Sequence, residues 1–499
     1  MNQLLMLSIV LGFGAEVWPG FRGDGSSGTT AKNLPVKWTG MEDVAWRINL
    51  PGYGQSSPVV WKDRVFVTAV EGAEKERCIV LAVDIHSGDV LWEKRFTASQ
   101  KGKNNPSVSR AAPTPVVDQK GLYVFFESGD LIGMSHEGTV KWQRSLTDEY
   151  GEFQNHHGLG SSLTQTENAL FVLVEHRGPS YLLAVDKMTG KNIWKTERES
   201  GLSWTSPIIA EHEGRKFVLV SSNGSLTSYD ARTGKELWML ESLAGNLIPS
   251  PAIAGNIVVV GAGQGGFTFD RQAAAKSNCA VRLTMEEGKP GYEILWRGQK
   301  AVAHHASPVV HQGCVYLLTK VGVLYCRDLE TGKQLYVERV HPCWATPIAV
   351  GDYLYLFGKD GVTTVIESGS KFREVATNRL WSDEELKFRR EIAEKRPESQ
   401  FPQLPSQGRE EMEAMLREAV GDVVYGVAAV DERSLFAPER DSVAFERIDR
   451  KAIDAIWFFD FSFGIWIPIA TVRTTQVCQC HPCLRPSFER WVSHHLFRR

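Results

Sequence analysis

One nine-residue phrase, Asp186-Lys-Met-Thr-Gly190-Lys-Asn-Ile-Trp194, constrains this chain more than any other feature, because its spacing is written again and again. An Asp, a Gly four residues on and an aromatic four further recur at Asp84/Gly88/Trp92, Asp230/Gly234/Trp238 and Asp328/Gly332/Tyr336. The Asp closes an Asx-type turn on the following amides, and the Gly takes the positive φ that such a hairpin needs. The aromatic heads a short strand and packs where two sheets meet. A unit that ends in an apolar wedge needs a neighbour to receive it, so the repeats must stack.

A second marker precedes each of these turns: a small residue, then Pro, then β-branched residues. It is read at Ser57-Pro58, Thr114-Pro115, Ser206-Pro207, Ser250-Pro251, Ser307-Pro308 and Thr346-Pro347, with weaker copies at Ser162-Leu163 and Val427-Ala428. That makes eight starts. Aromatic outer strands follow at Trp92, Trp142, Trp194, Trp238, Trp296 and Tyr336, with a degenerate one at 373–380. One more, Val44-Ala-Trp46-Arg-Ile-Asn-Leu50, has no inner strands of its own, whereas the last start lacks an outer strand.

The two are complementary, and joining them hides the edges that a linear array would expose. The expected fold is therefore all-β: an eight-bladed propeller of four-stranded blades, closed by an N-terminal strand. Its blades span 57–98, 114–146, 161–200, 206–243, 250–299, 307–340, 346–380 and 425–448 plus 44–50. A seven-blade count requires the third or the eighth unit to be misread. The 45 Gly and 22 Pro suit many tight turns.

The remaining segments fall outside the repeat. Residues 1–15 have an apolar core of signal-peptide length, so the chain is expected to be exported, periplasmic or extracellular, with the propeller over 16–450. An insertion at 381–420 opens with the capping box Ser382-Asp-Glu-Glu385 and reads as short helices broken by Pro397, Pro402 and Pro405. From 451 to 499 the composition shifts to an atypical appendage. Its Cys478, Cys480, His481 and Cys483 are too crowded for the usual zinc site. Cys314 and Cys326 read as core residues on opposite faces of a hairpin.

With 56 Lys plus Arg against 59 Asp plus Glu and no long basic run, a nucleic-acid surface is not expected. No transmembrane span is read, and the chain is expected to be a monomer.

Taken together, Asp-x-x-Thr-Gly-Lys-x-x-Trp and the Pro-containing inner strands resemble the pyrroloquinoline-quinone-type (PQQ-like) repeat. That repeat occurs in quinoprotein alcohol dehydrogenases and in the propeller scaffold lipoprotein of outer-membrane β-barrel assembly. The opening Trp18-Pro-Gly-Phe-Arg-Gly23 resembles the start of exported bacterial PQQ-like propeller proteins. In the dehydrogenases the resemblance implies quinone stacked between a Trp and an adjacent-Cys disulfide, with Ca²⁺ held by Glu, Asn and Asp. This chain has no adjacent Cys pair, no matching calcium-ligand motif and no Cys-x-x-Cys-His. PQQ with Ca²⁺ is thus unsupported by ligand motifs, and the cofactor is left open.

Residues just ahead of each inner strand are delivered to the mouth of the central channel. This rim is Gln55, Arg110, His157, Trp204, Asn246, His305, Trp344 and Tyr425. Flat and hydrogen-bonding side chains in a concave funnel suit a protein partner or a planar, sugar-like ligand. The expectation is a binding or scaffold module, more readily than a competent quinoprotein dehydrogenase; a PQQ-dependent alcohol or sugar dehydrogenase, with Trp204 or Trp344 stacking on quinone, is the alternative. His156/His157 and His304/His305 read as ordinary histidines rather than a shared metal site. Gly261-Ala-Gly263-Gln-Gly-Gly266 reads as a hairpin turn, with 267–270 as the next strand.

Overall fold

The stretches from Val65 to Val70 and from Ile79 to Val83 carry almost no charge, the pattern of strands covered on both faces. The computed structural model places them side by side, Val65 opposite Val83 and Phe66 opposite Ala82. Alternation then sends Val65, Val67, Ile79 and Leu81 into one core, and Phe66, Cys78, Val80 and Ala82 into another. The structure describes residues 17–379, apart from 24, 26–33, 39–42, 44, 47, 49, 105–108, 264–269, 301–302 and 359–360. It also describes the strands Val424–Val430, Arg433–Pro438, Ile456–Asp460 and Ile465–Ile469.

Seven antiparallel sheets follow in chain order, each with four consecutive strands. The first runs Val59–Trp61, Arg64–Glu71, Arg77–Asp84 and Val90–Thr97, and the seventh Ile348–Val350, Tyr353–Phe357, Val362–Glu367 and Glu374–Arg379. Buried apolar clusters lie between successive sheets. Val59 and Phe66 meet Leu122 and Val124 between the first and second, and Tyr316 and Leu318 meet Leu354 and Leu356 between the sixth and seventh. A further cluster joins the seventh to the first: Ile348, Val350 and Tyr355 share a core with Val60, Val65 and Ile79, through Trp18, Leu34, Trp38, Trp46 and Leu50. The fold is an all-β propeller.

The repeated phrase does the joining. Asp186 Oδ1 accepts from Thr189 N at 2.8 Å and Thr189 Oγ1 at 2.7 Å, and Gly190 sits at φ 71°. Asp328 with Thr331 and Gly332 is built the same way. Trp142 of the second sheet lies on Gly190 of the third, where a Cβ would fall 2.6 Å from the ring, and its indole donates to Lys187 O at 2.8 Å. Trp194 on Gly234 and Trp296 on Gly332 repeat the contact.

The small residue of the second marker has a matching role. Ser57 N donates to Thr114 Oγ1, Thr114 N to Ser162 Oγ, Ser162 N to Ser206 Oγ, Ser206 N to Ser250 Oγ, Ser250 N to Ser307 Oγ, and Ser307 N to Thr346 Oγ1, all at 2.8–3.0 Å. One hydroxyl per blade thus accepts from the blade before it, and Ser162 takes its place in the series as the third start.

Several expectations change. The third strand of the fifth sheet is Cys279–Glu286, not 267–270: Asp270 instead caps a short helix, Arg271–Ser277, accepting from Gln272 N and Ala273 N at 2.9 Å. Residues 264–269 of the Gly-rich turn lie outside the described set. Cys314 and Cys326 are buried as expected, but on one face: Tyr316 pairs with Cys326, and Cys314 lies two residues from Tyr316 in the same core cluster. The first sheet gains an unforeseen inner strand, Val17–Trp18, paired with Val60 and Trp61. Of 44–50 only residues 45, 46, 48 and 50 are described, and they carry no strand. The start near Tyr425 forms the hairpin Val424–Val430 with Arg433–Pro438, and the appendage contains the hairpin Ile456–Asp460 with Ile465–Ile469. The insertion at 381–420 and the Cys478 to Cys483 cluster lie outside the described residues.

Candidate functional site

The residues expected at the rim lie on the segments ahead of the inner strands. Gln55 N donates to Arg110 O and Arg110 N donates back to Gln55 Oε1, both at 3.0 Å. The Arg110 guanidinium lies 4.5 Å over the Tyr53 ring, within cation–π range. Ser109 N donates to His157 O at 2.6 Å, and the His157 ring meets Trp204 edge-on, centroids 5.9 Å apart. Trp204 is fixed at both ends, its backbone N donating to Leu247 O at 2.7 Å and its indole to Gly158 O at 2.9 Å. His305 stacks on Trp344 with centroids 4.4 Å apart and planes 7° from parallel.

The expected rim residues thus include three aromatic or cation–aromatic pairs, Arg110/Tyr53, His157/Trp204 and His305/Trp344. Asn246 does not join them. It is fully buried, its Oδ1 accepting from Gly224 N and its Nδ2 donating to Ser221 Oγ and Ser225 O. Tyr425 belongs to Val424–Val430, and its side chain lies outside the described set.

Buried ion pairs hold the loops beneath. Arg198 donates to Glu175 at 2.7 Å, while Ser203 and Ser222 donate to the same carboxylate. Lys75 donates to Glu127 at 3.2 Å. Such pairs fix position more than they add stability. His176 Nδ1 accepts from Gln154 N and Gly178 N, and burial lowers its pKa. Burial, then the nearby Lys320, lowers His304 to about 4, so it is a neutral ring at neutral pH.

The channel below this mouth is occupied by the chain itself. Pro19 O accepts from Val117 N at 2.9 Å, and Gly20 lies against Val116 and Pro115 of the second blade. Arg22, only 3% exposed, donates to Ser250 O at 3.3 Å and Pro251 O at 2.6 Å on the fifth blade, and to Gly25 O. Gly25 lies nearest Ile208 of the fourth. The stretch Trp18-Pro-Gly-Phe-Arg-Gly23 thus crosses from blade to blade, turning where Gly23 N donates to Gly20 O and Gly25 N to Arg22 O. In the sequence this motif stands out as a resemblance without a role. The two Gly flanking Phe-Arg were the available signal for a tight reversal.

Comparison with known proteins agrees with the geometry. The PQQ-like repeat family described as outer membrane protein assembly factor BamB matches residues 29–173 and 178–277. This chain is a PQQ-like repeat propeller. A curated BamB of Alkalilimnicola ehrlichii is 27% identical over 186 residues, 36% of the propeller's chain and 43% of that protein. A polyvinylalcohol dehydrogenase of a Pseudomonas species is 23% identical over 233 residues, 39% and 33% respectively. The propeller's chain spans about half or less of the length of these curated relatives.

Among solved structures, BamB of Moraxella catarrhalis superposes with a TM-score of 0.52 at 12% identity, covering 81% of this chain and 99% of that one. The quinohemoprotein alcohol dehydrogenase of Comamonas testosteroni gives 0.56 at 12% identity, covering 89% and 83%. At such identity both show the fold alone.

Among the described residues no three His, Cys, Asp or Glu side chains are grouped to hold a metal ion. The sequence lacks adjacent cysteines, and Arg22 lies in the channel under the rim. No helix among the described residues is long and apolar enough to cross a membrane.

Proposed function

We propose that this propeller is an exported binding or scaffold module that presents its rim to a protein partner. The observation that carries the reading is that residues 17–23 and Gly25 lie against the inner strands of the second, fourth and fifth blades; on this reading they take up the channel and leave His305/Trp344, His157/Trp204 and Arg110/Tyr53 as a surface of flat groups. Rigid aromatic and Arg side chains are the types enriched where proteins meet. The name of the curated relatives, outer membrane protein assembly factor, belongs to the same class of activity.

The proposal includes an eighth blade, closed by the N-terminal segment. Two observations support it. The Trp46 indole donates to Ile85 O at 3.0 Å and its ring covers Gly88, the contact that Trp142 makes on the third blade. Strand Val424–Val430 lies beside Val17–Trp18 and Val59–Trp61, next to the first blade's inner edge.

Photocrosslinking in the native cell tests the partner surface. A benzophenone amino acid replacing Gln55 or His305 should give a discrete protein adduct, and one replacing Ile193 on the outer edge should give none. Absence of an adduct at both rim positions would contradict the proposal.

A further inference from the structure

A cleft opens where loops of the first three blades meet. It encloses about 330 Å³ and is lined by Lys75, Lys101, Lys103, Glu127, Asn155 and the ring of Phe153, with Val70 and Leu159 adding apolar wall. Cys78 belongs to that wall, since burial pushes its thiol up and keeps it neutral.

Two donors inside it are uncommitted. Lys75 is 8% exposed, and an ammonium carries three donors. Its Nζ donates to Ser109 O at 2.9 Å and to Glu127 Oε1 at 3.2 Å, which leaves one N–H over. Asn155 Oδ1 accepts from His157 N, while its Nδ2 is buried with no partner. A buried amide donor left unmade is costly, so its persistence calls for an acceptor from outside.

Charge selects what the acceptor is. Three ammoniums face one carboxylate, and that carboxylate is already engaged by Lys75 and by Ala111 N. Lys101 also pairs with Glu74 at 3.2 Å, but both are exposed, and Lys103 stands at the opening. Lys75 is moreover held at φ 52°, a left-handed conformation that a non-glycine residue adopts only when its surroundings impose it.

We propose that this cleft binds a small organic monocarboxylate, its carboxylate taken by Lys75 Nζ and Asn155 Nδ2 and its apolar body lying against Phe153, Leu159 and Val70. The site adjoins the rim, since Asn155 Oδ1 accepts from His157 N.

Saturation-transfer NMR on the full chain tests it with 3-phenylpropionate and, as uncharged control, 3-phenylpropan-1-ol. The acid should show transfer and the alcohol little. Asn155→Asp keeps the acceptor for His157 N and replaces the buried donor with a negative charge, so affinity for the acid should fall at least tenfold. The double variant Lys75→Met/Glu127→Gln should do the same without stranding a buried charge, and Lys103→Gln at the surface should weaken binding two- to threefold. No transfer to the acid, equal transfer to the alcohol, or undiminished binding by a folded Asn155→Asp protein would each overturn the proposal.

Discussion

Asp186, Thr189, Gly190 and Trp142 show how much one residue settles in this molecule. The Asp and Gly were legible from spacing alone because turn chemistry is local: an acceptor two or three residues ahead of its donors, and a φ that only Gly adopts freely. The Trp was legible as a wedge, but not the carbonyl of Lys187 that receives its indole, because that carbonyl is supplied by another blade. Asn246 illustrates the opposite case. Its place in the repeat aligns it with the rim, yet Ser221, Gly224 and Ser225 draw its amide inward, and no spacing rule encodes that.

The buried imidazoles give a pH dependence at the same scale. Unfolded His titrates near 6.5, whereas His304 in the fold is at about 4 and His176 is also lowered, both chiefly by burial. The unfolded chain therefore binds more protons between these values. The stability contributed by the two neutral rings is fully present above about pH 6.5 and is lost as pH falls toward 4. Urea midpoints measured from pH 7.5 to 4.5 should decline, and His176→Asn/His304→Leu should flatten the decline. An equal slope in the variant would contradict this assignment.

At the scale of the element, the first six inner strands are each held at their start by a hydroxyl from the next blade. The sequence displayed the Ser or Thr ahead of Pro at most starts but not its bond, since acceptor and donor lie 39–57 residues apart. Ser206→Ala would remove the acceptor for Ser162 N and leave that N–H buried. A loss of about 1–3 kcal/mol is expected from a buried donor left unmade, read as a lower chemical-denaturation midpoint. Ser206→Thr should restore most of it; an unchanged midpoint in Ser206→Ala would show that the ladder is incidental. The short helix Arg271–Ser277 was illegible for a different reason: 267–270 has strand composition, and only Asp270, as a cap, marked a helix start there.

For the whole molecule, closure and an occupied channel are the two features with functional weight. The sequence reads an orphan closing strand around Trp46; the described residues there carry no strand, but Trp46 docks on the first blade's turn. Trp46→Ala should lower the thermal midpoint and raise hydrogen exchange in the first and seventh sheets more than in the fourth. Uniform exchange across the sheets would contradict a closing role. The channel segment was not anticipated, because Pro19, Arg22 and Gly25 reach three different blades through backbone atoms and small contacts that leave no periodic trace.

On the reading proposed above, that segment stands where a quinone would have to enter. Titration of the purified full chain with pyrroloquinoline quinone, with and without Ca²⁺, following quinone absorbance and the thermal midpoint, tests that reading most directly. A ligand that binds the native state and not the unfolded chain stabilises it by RT ln(1 + L/Kd), with L the free ligand concentration, so tight binding at high quinone concentration raises the midpoint measurably. With Arg22 held by the carbonyls of Ser250 and Pro251 under the rim, neither absorbance nor midpoint should respond at high quinone concentration. Tight, calcium-dependent binding with a raised midpoint would contradict the scaffold reading and place the protein among the quinone-dependent dehydrogenases.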